Sequence, residues 1–123
     1  MKALAQLAFN GNCRQAFAYY ERVLNGRITV MNALGDTKDV PLQPGSKLSA
    51  PEHIRFAELL IDDGALPGND VPPDEFQPTR GFNVALHTRS VADATRIFAA
   101  LADGGEVKAP LTEVAWLVLA LDD

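Results

Sequence analysis

The chain has little of what several functions require. One cysteine, Cys13, stands among 123 residues, so no disulfide can form within the chain. That fits a reducing compartment. Two histidines, His53 and His87, leave little imidazole for a metal centre. They lack the close helical spacing of zinc-binding pairs. Basic residues number 11 against 16 acidic ones, a formal net charge of −5 with the signs interspersed. Phosphate-backbone binding needs a basic face, so nucleic acid is not an expected partner. No apolar run is long enough to span a bilayer. The stretch Met1–Leu7 is too short and too interrupted, by Gln6, for a signal peptide. A cytoplasmic location without membrane contact is therefore expected. No glycine-rich loop opens a helix, which leaves nucleotide binding unsupported: Gly104-Gly105 follows a helical pattern instead.

What is present suits a folded domain, with 47% hydrophobic and 22% charged residues. Ala3–Phe9 reads as a strand, broken by Asn10-Gly11-Asn12. Cys13, Ala16, Phe17, Tyr20, Val23 and Leu24 then fall on one helical face. Asn12 is placed to cap that helix, with Gln15 completing a capping box, and Asn25-Gly26 to end it through a left-handed glycine. Arg27–Leu34 reads as a strand, and Gly35–Pro51 as a long exposed loop. Ile54–Ile61 is a further strand, followed by a tight turn at Asp63-Gly64. Ala65-Leu66 begins a return strand that Pro67-Gly68 keeps short. The proline-rich, acidic stretch 69–79 reads as a linker.

The opening pattern then recurs. Gly81–His87 reads as a strand. Ser90 caps a helix whose apolar face is Val91, Ala94, Ile97, Phe98 and Leu101, and Asp103-Gly104-Gly105 ends it. Val107 starts another strand, and Val114–Leu121 forms a last apolar run. The chain therefore reads as a single α+β domain, 1–123, with one module at about 1–68, a linker at about 69–79 and a second module at about 80–123.

Three ordered blocks carry a resemblance to a known family. They are Phe9-Asn10-Gly11-Asn12-Cys13 with the helix face behind it; Ala57-Glu58-Leu59 followed by Asp62-Asp63-Gly64; and Phe98–Val107 with Pro110-Leu111 and Trp116. Together they resemble the PhnB-like (demethylubiquinone-methyltransferase-like) branch of the vicinal-oxygen-chelate, or glyoxalase/bleomycin-resistance, superfamily. The resemblance implies two βαβββ modules forming a curled mixed sheet around a cavity, commonly in a homodimer. Against that pattern the second module is expected to lack its last strand, since the residues run only to Asp122-Asp123. The resemblance also implies where metal ligands would stand, and here those positions hold Ala5, Asn83 and a point near Pro67. None is a good donor for a transition metal, so no metal and no cofactor are expected. Nothing in the chain resembles the cofactor site that the branch's methyltransferase name would require.

The expected function is accordingly metal-free binding of a small organic molecule in the cavity. Its lining is expected from Phe9, Phe56, Glu58, Asn83, His87 and Trp116. The alternative is a metal-dependent lyase, isomerase or dioxygenase of the glyoxalase type, and no catalytic residue can be named. Glu58, on a strand otherwise apolar apart from Arg55, fits either a base with raised pKa or a rim position or pairing with an arginine. Asn83 and His87 share one strand face, which reads as cavity lining or as a solvated surface. Trp116 suits a pocket wall, a core position or a dimer seam equally. Cys13, on the apolar helix face, reads as a buried and unreactive thiol.

Overall fold

The structure, a computed structural model, describes residues 1–36, 50–78, 80–81, 83–107 and 111. The chain divides into two units, Met1–Phe76 and Gln77–Asp123. The described architecture is α+β, with two helices and one four-stranded mixed sheet. No helix among the described residues is long and apolar enough to cross a membrane.

The first unit runs β1 (Leu7–Phe9), α1 (Cys13–Leu24), β2 (Arg27–Ala33), a 3-10 turn at Leu34–Asp36, β3 (Ile54–Ile61) and β4 (Gly64–Asp70). The sheet order is β1-β4-β3-β2, with β1 parallel to β4 and the other pairs antiparallel. The strand at β1 is shorter than expected. Its partners on β4 are Gly68, Asn69 and Asp70, and the same register would set Gln6 against Pro67. Proline has no N–H to give, so the ladder stops there. The return strand β4 runs through Pro67-Gly68 instead of ending at them. It tolerates the proline because β1 flanks β4 only from Gly68 onward. The turn closing β3 and β4 is Asp62-Asp63, since Ile61 pairs with Gly64. This is one residue earlier than the expected Asp63-Gly64, and Asp62 takes the left-handed conformation, at φ 47°.

Every residue of the expected face of α1 is buried except Ala16, which is half-buried. Phe17 is fully buried and meets the Phe9 ring edge-on at 5.9 Å, with Tyr20 at 6.1 Å on its other side. Fully burying each such side chain is worth about 1.5–3 kcal/mol. A helix of 12 residues is marginal alone, so this packing is what keeps it formed.

The ends of α1 are built differently from the expectation. The Asn12 side chain makes no capping bond. The Cys13 N–H donates instead to Oδ1 of Asp70 at 3.0 Å, from the far end of β4. At the other end Asn25, not Gly26, is left-handed, at φ 52°. Gly26 has a separate reason to be glycine. A Cβ there would lie 2.7 Å from the main-chain oxygen of Leu60 and 3.0 Å from Cδ1 of Leu59. Gly26→Ala should therefore cost about 1–3 kcal/mol, as overpacking against backbone does. Urea unfolding of the variant beside the parent chain measures it.

Strand β2 departs from regular pairing twice, between Ile28 and Val30 and between Asn32 and Ala33. At the first irregularity the N–H of Ile28 turns to Oε2 of Glu21 on α1, at 2.6 Å. The carboxylate supplies the acceptor that a straight ladder would have supplied.

In the second unit α2 spans Val91–Ala102. Ser90 caps it as expected, its hydroxyl oxygen accepting from the Asp93 N–H at 3.1 Å. Ile97 is buried, whereas Val91 is 82% exposed. The expected strand at Gly81–His87 is not formed among the described residues, nor is one at Val107. Alternation alone does not make a strand, which needs a neighbour to bond with, and no described segment offers one. The expected strand at Val114–Leu121 lies outside the described residues.

Candidate functional site

The two faces of the first unit's sheet can be told apart from the aromatic core. Phe9 packs on Phe17 of α1. A Cβ on Gly68 would stand 2.7 Å from two ring carbons of Phe17. Both residues thus look toward the helix. Gly68 pairs with Ala57 and Leu66 pairs with Leu59, and all four are buried on that side. Side chains alternate along a strand, so Phe56 and Glu58 look the other way, away from α1. Their cross-strand partners Asn32 and Val30 go with them, as does Pro67 opposite Glu58.

This second face is the candidate site. Phe56, Glu58 and Val30 are half-buried there and Asn32 is exposed. Phe56 thus presents a large apolar ring at the surface beside a carboxylate two residues on. The carboxylate is held: the Thr29 hydroxyl donates to Oε1 of Glu58 at 2.8 Å. Thr29 can reach it because it occupies the irregular position of β2 between Ile28 and Val30. Glu58 is half-buried at this face and not sealed among apolar walls. Along β4 the same face continues to Asn69, whose Oδ1 accepts from Nε2 of Gln6 at 2.9 Å.

The other expected site residues are distributed differently. Phe9 is fully buried on the helix side of the sheet, so its ring belongs to the core beneath α1. Its strand position next to Ala8 decides this, because only one of two successive residues can face the same way. Asn83 and His87 are exposed and belong to the second unit. Trp116 lies outside the described residues. Cys13 is fully buried, as expected of the helix face. Ala5, Asn83 and Pro67 at the expected ligand positions do not fit a metal. No group of three or more His, Cys, Asp or Glu that could hold one occurs among the described residues.

His53 stands at the entrance to β3. Its Nδ1 is buried and has no hydrogen-bond partner among the described residues. Its main-chain oxygen accepts from the Leu34 N–H at 2.9 Å. A Cβ on Gly11 would come to 3.6 Å from Nε2 of this ring. The residue beside it, Ile54, donates its N–H to Oδ2 of Asp70 at 2.7 Å.

Asp70 is the residue that sequence reasoning missed. Only 1% exposed, it accepts from the first residue of α1 and from the first residue of β3. It thereby ties the starts of α1 and β3 to the end of β4. In the sequence it looked like one more acid of a proline-rich linker. The sole local sign was its place at the end of the alternating stretch after Gly64.

Comparison with known proteins adds two relatives. No family model matches the chain. Protein YjdN of Escherichia coli (strain K12) is 26% identical over 117 residues, which cover 89% of this chain and 78% of that protein. The crystal structure of protein PA1353 from Pseudomonas aeruginosa superposes with a TM-score of 0.78 at 33% identity. It covers 99% of this chain, and 85% of that chain is covered in turn. Neither name states an activity.

Proposed function

We propose that this chain, which belongs to the same family as PA1353 of Pseudomonas aeruginosa, is a PhnB-like protein of the vicinal-oxygen-chelate superfamily that binds a small organic molecule without a metal. The observation that carries this reading is the pairing of a half-buried aromatic ring, Phe56, with a hydroxyl-held carboxylate, Glu58, on the sheet face turned away from α1. Such a face has apolar area to gain from covering and few polar groups to orient what covers it, which is the general character of a ligand site. The order βαβββ in the first unit also supports the superfamily reading. The donor types at Ala5, Asn83 and Pro67 support the metal-free part.

The test is a thermal-shift screen of the full chain against small aromatic and antibiotic-like compounds. A ligand at about 100 times its Kd should add about 2.7 kcal/mol of stability by mass action. The Phe56→Ala variant should fold and lose that response. Metal analysis after incubation with zinc, nickel, manganese and iron forms the second arm. One tightly held ion per chain would overturn the reading, and so would a library that leaves the midpoint unmoved.

A further inference from the structure

We infer that the ligand of this face is a small organic cation, an ammonium group on an apolar body, and the inference rests on the binding reading above. Three features select it. Glu58 supplies a negative charge whose Oε1 is already oriented by Thr29, while its second oxygen has no protein donor among the described residues. Phe56 lies on the same strand and the same face, two residues away, hence about 7 Å along the strand. An aromatic face attracts a cation within about 6 Å of the ring centre, and the attraction grows as water is excluded. An ammonium carrying methyl or methylene groups can set its charge against Glu58 and its carbon surface on Phe56 together.

The amide of Asn32, paired directly with Phe56, adds a carbonyl acceptor and no charge. Val30 and Pro67 flank Glu58 on its two neighbouring strands and place apolar surface on either side of it. Arg55, next to Phe56 on β3, is engaged in an interaction of its own, and the charged group at the other margin is Arg27, paired with Leu60 at the start of β2. It sits two positions along β3 from Glu58, so it closes that end of the face to a second positive charge. A compact monocation is favoured over a polyamine. A neutral molecule of the same shape would leave the carboxylate covered without a partner, and an anion would meet it directly.

The experiment is an NMR titration of the full chain with choline and, separately, with its uncharged isostere 3,3-dimethylbutan-1-ol. Choline should move the backbone amides of Val30, Phe56 and Glu58 and bind about tenfold more tightly than the alcohol. Added salt should weaken the choline interaction and leave the alcohol unaffected. Glu58→Gln, which keeps the shape, should bring the two affinities together. Phe56→Leu should weaken both and choline more. Equal affinity of the parent chain for the two probes, or an unchanged preference in Glu58→Gln, overturns the cation inference while leaving a binding face in place. Shifts from neither probe would overturn the inference, and with a silent compound screen the binding reading would fall too.

Discussion

Replacing Asp70 with alanine is expected to destabilise the first unit by about 2–6 kcal/mol, the largest effect of any single polar substitution among the described residues. The carboxylate accepts from the N–H of Cys13 and the N–H of Ile54, and it is 1% exposed. Its removal strands two donors that water cannot reach. Each buried, unpartnered donor costs roughly 1–3 kcal/mol, and bonds to a charged acceptor stand at the upper end. Whole domains are stable by only about 5–15 kcal/mol, so the loss would consume much of the margin. Asp70→Asn should be milder, because the amide keeps one oxygen for one donor. Its NH2 must then face the other N–H. Urea unfolding gives the magnitudes. Amide exchange at Cys13 and Ile54 gives the location, and both should lose protection together. An alanine variant as stable as the parent chain would show that this clasp is not what holds the three segments.

The second large effect concerns a ring and the glycine under it. Phe17→Ala should cost about 3–5 kcal/mol, since a fully buried aromatic is lost and its neighbours Phe9 and Tyr20 can close the space only in part. Gly68→Ala approaches the same contact from the other side. The added methyl would lie 2.7 Å from Cε1 and Cζ of Phe17, and the ring is hemmed in by the same two aromatics. We expect a cost of about 1–3 kcal/mol. Combining Gly68→Ala with Phe17→Leu should recover part of it, because the smaller side chain leaves room for the methyl. The pair should fall short of the sum of the single changes by about 0.5–3 kcal/mol. Strict additivity would mean that the strand shifts and the ring does not.

Much of the first unit was legible because its signals are local. The face of α1 is spaced for burial on one side, and β3 was read with its observed limits, Ile54–Ile61. Ser90 and its helix were equally plain. Misreadings cluster where a distant segment takes over a local role. Asn12 has the side chain for a cap, but Asp70, 57 residues away from Cys13, makes the bond. Pro67 looked like a strand breaker, and only the short reach of β1 makes it tolerable. At the site, alternation along β3 puts Phe56 and Glu58 on a common face. It could not say which face the helix covers, and so Phe9 was assigned to the cavity when its ring serves the core. Gly81–His87 has a strand's alternation without a bonded neighbour among the described residues.

The break in β2 between Ile28 and Val30 has an effect beyond the site. This is the outer strand on its side of the described sheet, and outer strands invite chains of the same kind to add to them. An arriving strand needs an unbroken comb of amides and carbonyls in step with its own. At Ile28 the comb is bent inward to Glu21, and Thr29 is one residue more than β3 sets opposite it. The kink that lets Thr29 steady a carboxylate therefore also guards the margin of the sheet against runaway polymerisation.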